Sequence, residues 1–193
     1  MDLTEGVLKE KQRRAKKMML WFAIGSIIMM FAGLTSAYVV SKTRPDWIID
    51  FQLPSAFFIS TVVIILSSFT IHFAKNIIKK GDYAVGGALL LATLALGIIF
   101  VYFQFRGFSQ IIESGYYFTG SESTITTSFL YIIVFTHIVH IFAGLIVLLT
   151  VIYNHYKKRY ISGETLGLEL GAAFWHFLDF LWIYLILFFY FFR

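Results

Sequence analysis

Ionisable and imidazole side chains inside apolar stretches are the residues of this chain that could do chemistry. His137 and His140 stand three apart in one such stretch, about 60° apart on a helix, with Gly144 between them in angle. In another, Glu169, Ala172, His176, Asp179 and Ile183 fall within roughly an 80° arc, so His176 and Asp179 share a face and Glu169 lies on it one end away. His72 closes a third stretch. Imidazole and carboxylate are metal ligands, proton carriers and hydrogen-bonding groups, which leaves three readings. For haem or metal ligation, two histidines on one helix cannot take both axial positions, so a second helix is needed. Counting about 1.5 Å per residue puts His176 roughly 10 Å and His140 roughly 20 Å deep, a mismatch for that pair. A proton path through Glu169, His176 and Asp179 would need a redox or substrate site to drive it. The third reading is structural: groups that pair across helices or hold lipid headgroups, because buried polar groups must find partners. The chain has no cysteine, which excludes thiolate sites, iron–sulfur clusters, covalent c-type haem and disulfides.

The elements that carry these residues follow from composition. The 193 residues are 59% hydrophobic and 14% charged, against about a quarter charged in a soluble domain. A helix needs about 20 apolar residues to cross a bilayer. Met18–Val40, Leu53–Ala74, Ala84–Phe105, Thr126–Tyr153 and Leu170–Phe192 meet that length. Unpaired backbone cannot face lipid, so each is helical. The expected fold is an all-α, polytopic bundle of five transmembrane helices, residues 18–193, behind a polar cytoplasmic segment, residues 1–17. No small-residue cleavage site follows that segment, so no removable signal peptide is expected.

Charge orients the bundle. Of 16 lysines and arginines, all but Lys42, Arg44, Arg106 and Arg193 fall on one side of the five spans. The positive-inside rule places that side, with the N-terminus, in the cytoplasm and the C-terminus outside. The net charge of +5 therefore describes topology rather than nucleic-acid binding. The segment 106–123 reads as an external loop. Small residues at Ala32/Ser36, Gly33/Ala37, Gly86, Gly87 and Gly167/Gly171 could let helices approach closely. Ser67, Ser68, Thr70, Thr93 and Gln104 are polar within the spans; hydroxyls can bond back to their own helix.

Several stretches, in order, carry a resemblance. Trp175-His176-Phe177-Leu178-Asp179-Phe180-Leu181-Trp182 resembles the last-helix motif of subunit III of the haem–copper cytochrome c oxidases, and Glu169 stands where that family has an acid. His137-Ile138-Val139-His140 with Gly144 resembles its preceding helix. Ser67-Ser68-Phe69-Thr70-Ile71-His72, then Leu96-Gly97 with Gln104, and Ile24–Gly33 are similar to further stretches of the same family. Together they cover about Trp21 to Tyr190, and five spans match the short bacterial form.

The resemblance implies a V-shaped pair of bundles around a phospholipid cleft. It also implies a non-catalytic role beside a haem–copper subunit I and a copper-bearing subunit II, in a proton-pumping terminal oxidase of the bacterial cytoplasmic (inner) membrane, with a larger respiratory supercomplex as a further partner. Haem and copper would sit in the partners; for this chain no metal or cofactor beyond bound phospholipid is expected. Candidates for the cleft or for interhelical polar contacts are His72, His137, His140, Glu169, Trp175, His176 and Asp179. The family's first-span glutamate falls on Ile27, and the acid after its third-span glutamine falls near Gly107, which favours a lipid-bearing scaffold over a proton antenna. Alternatives are the equivalent subunit of a quinol oxidase or nitric oxide reductase, or, in another class, a five-span b-type cytochrome.

Overall fold

The computed structural model describes residues 3–44, 47, 52–118, 120, 124–160 and 165–192, with side chains from Gly6 onward. Its elements are α1 (Leu3–Val40), α2 (Ser55–Lys79), α3 (Tyr83–Glu113), α4 (Ile125–Tyr156) and α5 (Leu166–Phe192), with one 3-10 turn at Ser41–Thr43. All five α-helices are long and apolar enough to cross a membrane. The expected all-α, five-helix membrane fold is thus observed. The terminal Arg193 used in the topology count lies outside the described residues.

Helix ends are set by local chemistry. Between α2 and α3 the chain reverses at Gly81, whose φ of +94° is open to a residue without a Cβ. Asp82 then caps α3 by accepting from the Val85 N–H at 3.1 Å. Thr124 and Thr127 form a reciprocal capping box at the start of α4. α2 follows Pro54, which has no side-chain capping bond. Its first turn is served from α3 instead: Gln110 Oε1 accepts from the Ala56 N–H at 3.2 Å, and Gln110 Nε2 donates to Ser55 Oγ at 3.3 Å.

α2 and α3 form the most intimate pair, and α3, α4, α5 and α2 pack in a closed cycle. α1 lies outside it against α4 and α5, its backbone making no close approach to α2 or α3 among the described residues. Glycine makes the close approaches. A Cβ on Gly107 would overlap the Phe57 ring, one on Gly86 the Ile78 side chain, and one on Gly87 would meet His155. α1 is attached by the row Phe31, Thr35 and Tyr38, all buried. Thr35 Oγ1 lies 3.2 Å from the Tyr184 hydroxyl on α5, and Tyr38 is ringed by Trp47, Phe129, Phe188 and Phe189.

Within the described residues α1 is continuous from Leu3 into the first span: its first turns are rich in Lys, Arg, Glu and Gln, which favour helix, and Glu10 pairs with Arg14 one turn on. Two expectations need correction. Residues 106–113 belong to α3 rather than to a loop, since Gln110 and Gly107 are used in packing and capping α2. The small pairs Ala32/Ser36 and Gly33/Ala37 are exposed, and a Cβ on Gly33 would meet nothing within 4 Å. The packed face of α1 is the neighbouring row of larger residues.

Candidate functional site

α5 is the hub. Trp175 and Trp182, seven apart, face the core on one side of it and are almost completely buried. Each indole N–H donates to a hydroxyl on α2: Trp175 Nε1 to Ser67 Oγ and Trp182 Nε1 to Thr61 Oγ1, both at 3.0 Å. His137 stacks on Trp182 with ring centroids 5.3 Å apart and is closed in by Phe31 and Phe100. Neither of its ring nitrogens has a hydrogen-bond partner. His140 points elsewhere: Nδ1 donates to Thr136 O on its own helix at 2.7 Å, and the ring lies against Phe31. His137 and His140 therefore do not act as a pair. Both are fitted among aromatic rings, and Trp175 is a core residue with a satisfied N–H.

A second group forms where α2 meets α5. His176 Nδ1 lies 2.6 Å from Ser68 Oγ, and the His72 ring is 6.1 Å from that of His176. Asp179, 2% exposed, lines the same groove, whose volume is about 580 Å³. The sequence placed Glu169 on this face, but it is drawn to the helix end by Lys79 on α2, at 2.5 Å, with both side chains partly exposed. Water screens such a pair, so replacing Lys79 by Gln should cost less than about 1 kcal/mol. Thermal denaturation of the purified chain checks this; a larger loss would mean that the pair is held away from water.

The sequence reading did not single out a third place, at the end of the bundle where the basic residues collect. An apolar groove of about 450 Å³ runs between α1, α4 and α5, past Leu20, Ile146, Val147 and Phe174. It shares Lys16, Asn154, Tyr160, Gly167 and Leu170 with a polar cup of about 440 Å³ that adds Lys9, Arg13 and Arg159. The Tyr160 hydroxyl is buried there beside the Asn154 side chain. Burial pushes its pKa up, with Asn154 and Arg159 pulling it back in part, so it remains an O–H donor at neutral pH. An apolar slot crowned by cations and a phenol can take an anionic group joined to an apolar body. The hint in the sequence was Lys9, Arg13 and Lys16, spaced four and three apart on one face, with their partners supplied by a loop more than 130 residues away.

Among the described residues, no three of His, Asp and Glu converge where a metal ion could be held. His155 was likewise not singled out; its Nε2 donates to Tyr83 O at 2.9 Å, tying the end of α4 to the start of α3.

The family model of cytochrome c oxidase subunit III matches residues 11–193. A cytochrome bo(3) ubiquinol oxidase subunit 3 of Buchnera aphidicola subsp. Acyrthosiphon pisum is 29% identical over 90% of this chain and 85% of its own. A cytochrome c oxidase subunit 3 of Thermostichus vulcanus is 27% identical over 81% and 77% respectively. A quinol oxidase subunit 3 of Bacillus subtilis is 28% identical over 86% and 81%.

Proposed function

This chain belongs to the cytochrome c oxidase subunit III family, and from that premise we propose that it is the non-catalytic third subunit of a bacterial cytochrome c oxidase. In that complex it holds phospholipid beside the haem–copper subunit and steadies it during turnover. The observation that carries the lipid role is the apolar groove between α1 and the α4–α5 pair with its crown of Lys9, Arg13, Lys16 and Arg159. The basic end is cytoplasmic by the positive-inside rule. At that level the crown would meet a phosphodiester while the groove takes acyl chains.

Redox chemistry would belong to the partners. In support, His137 is enclosed by aromatic rings on several sides. A haem-bearing five-span cytochrome is the reading this disfavours, and a pyridine haemochrome spectrum of the isolated chain would decide it. The matched relatives divide between cytochrome c oxidases and quinol oxidases, so quinol is the second reading for the donor. A dinuclear copper site in the co-purifying subunit II selects cytochrome c; its absence selects quinol.

The test is purification of tagged wild type and of a Lys9→Gln/Arg13→Gln/Lys16→Gln variant. Wild type should bring down haem–copper subunits together with anionic phospholipid. Each basic residue near a headgroup contributes about 1 kcal/mol, so the variant should hold that lipid roughly a hundredfold more weakly and lose activity sooner during turnover. Recovery of the wild-type chain alone would overturn the assignment, and unchanged lipid content in the variant would remove the crown from it.

A further inference from the structure

The groove between α2 and α5 is distinct from the proposed lipid seat and carries different chemistry. It is walled by Phe69 and Phe180, both exposed at its mouth, and holds Ser68, His72, His176 and Asp179. Asp179 lies ten residues past Glu169, about 15 Å along α5 at 1.5 Å per residue, well below the level of phosphate headgroups. Both carboxyl oxygens and His176 Nε2 are buried. The Ser68 hydroxyl lies beside both side chains, but it has one proton to share between His176 Nδ1 and the Asp179 carboxyl, so at least one carboxyl oxygen and His176 Nε2 stay unmatched. A carboxyl group with no partner is costly in an apolar medium. The groove volume, about 580 Å³, falls within the range of small-molecule sites, roughly 300–1,000 Å³.

We propose that this groove binds a membrane-dissolved amphiphile with a neutral hydroxyl headgroup, the hydroxyl seated between the Asp179 carboxyl and His176 Nε2, and the body of the molecule against Phe69 and Phe180. A hydroxyl fits because it both donates and accepts. When Ser68 donates to Nδ1, the Nε2–H offers a donor and the carboxyl an acceptor. When Nδ1 donates to Ser68, Nε2 is the acceptor and the acid proton of Asp179 the donor. A phosphodiester would bring a charge to a depth where water cannot screen it and has no proton to donate. Two sources share the required chemistry: the phenolic hydroxyl of a quinol ring and the free hydroxyl of a diacylglycerol.

The experiment is photolabelling of the detergent-extracted chain with its co-purifying subunits. The probes are a diazirine-tailed short-chain hydroquinone, a diazirine-tailed diacylglycerol and a diazirine-tailed phosphatidylglycerol, with crosslinks mapped by mass spectrometry. Saturable labelling of residues 65–73 or 179–187 by a hydroxyl-headed probe is expected; whichever of the two saturates identifies the source. Asp179→Leu should reduce that labelling about tenfold, the worth of one hydrogen bond, while Asp179→Asn, which still donates and accepts, should stay within about threefold. Ile183→Trp, at the half-buried rim, should abolish it by filling the groove, and keeps the test open if Asp179→Leu fails to fold. Labelling that is absent, equal in wild type and Ile183→Trp, or as strong with phosphatidylglycerol would overturn the proposal. So would a groove shielded by a partner subunit. None of these outcomes bears on whether haem–copper subunits co-purify.

Discussion

Trp182→Ala is expected to destabilise the bundle by about 3 kcal/mol, toward the lower end of Trp→Ala losses in soluble cores. The lower end applies because lipid is as apolar as the core, so little is gained by moving an indole between them. What is lost is contact. Trp182 sits edge-on to Phe57 and Phe100 and stacks with His137, so its removal opens a space bounded by α2, α3 and α4 together. Trp182→Phe separates the packing from the hydrogen bond. Thr61 Oγ1 still donates to Phe57 O at 2.8 Å, so it loses only an incoming bond, and the cost should be about 1 kcal/mol. Denaturant titration of the purified chain in mixed micelles would measure both. Similar losses for Phe and Ala would mean that the N–H contact, not the ring, holds α5 to α2.

Gly97→Leu is the second large effect, with the opposite cause. Gly97 lies where α3 is crossed by α4 and α5: a Cβ there would stand 2.8 Å from Trp175 Cη2 and 3.0 Å from Leu145 Cδ2. The indole cannot turn aside, because its N–H is tied to Ser67. Overpacking of this kind costs roughly 1–3 kcal/mol even for modest insertions, and a leucine adds three carbons beyond the Cβ. At least 3 kcal/mol is expected, on the scale of that same range, with loss of assembled complex on size-exclusion chromatography. Gly97→Ala should cost far less, since about 1 kcal/mol of helix propensity offsets part of the clash. Gly33→Leu is the control. Nothing lies within 4 Å of a Cβ there, so the isolated chain should keep its stability. A Gly33→Leu chain as unstable as Gly97→Leu would show that the effect is propensity or membrane insertion rather than packing.

The helices and their number were legible because a bilayer leaves backbone no alternative to internal hydrogen bonding, and because each apolar run exceeds the span length. Boundaries were read less well wherever charge was equated with loop. Residues 106–113, which open the segment expected to be a loop, carry Arg106, Ser109, Gln110 and Glu113 and are still helical, since helix formation needs only propensity and a satisfied backbone.

Among the candidate residues, His176 and Asp179 share a face by helical angle, being three apart on one helix; that Ser68 and His72 of another helix stand opposite them is a tertiary fact that spacing does not contain. His137 and His140 share a helix face by the same arithmetic but not an environment: one is enclosed by Phe31, Phe100 and Trp182, the other bonds its own backbone at Thr136. Glu169 shares the arc of His176 and Asp179 on α5 by the same arithmetic, yet it does not line the groove; it pairs with Lys79 of another helix.

Sequence alone therefore determined the class, the five helices, the family resemblance and the side on which positive charge gathers. These depend on hydrophobic length, period and loop charge, which are local quantities. Tertiary structure decided which helix is the hub, which glycines are contacts and which are surface, and that Lys9, Arg13 and Lys16 share a cup with Arg159 and Tyr160. Those are relations between segments up to 151 residues apart, from Lys9 to Tyr160. Spacing within one helix says which residues share a face. It does not say what that face will meet, because the choice is made by the fit of side chains from several helices at once.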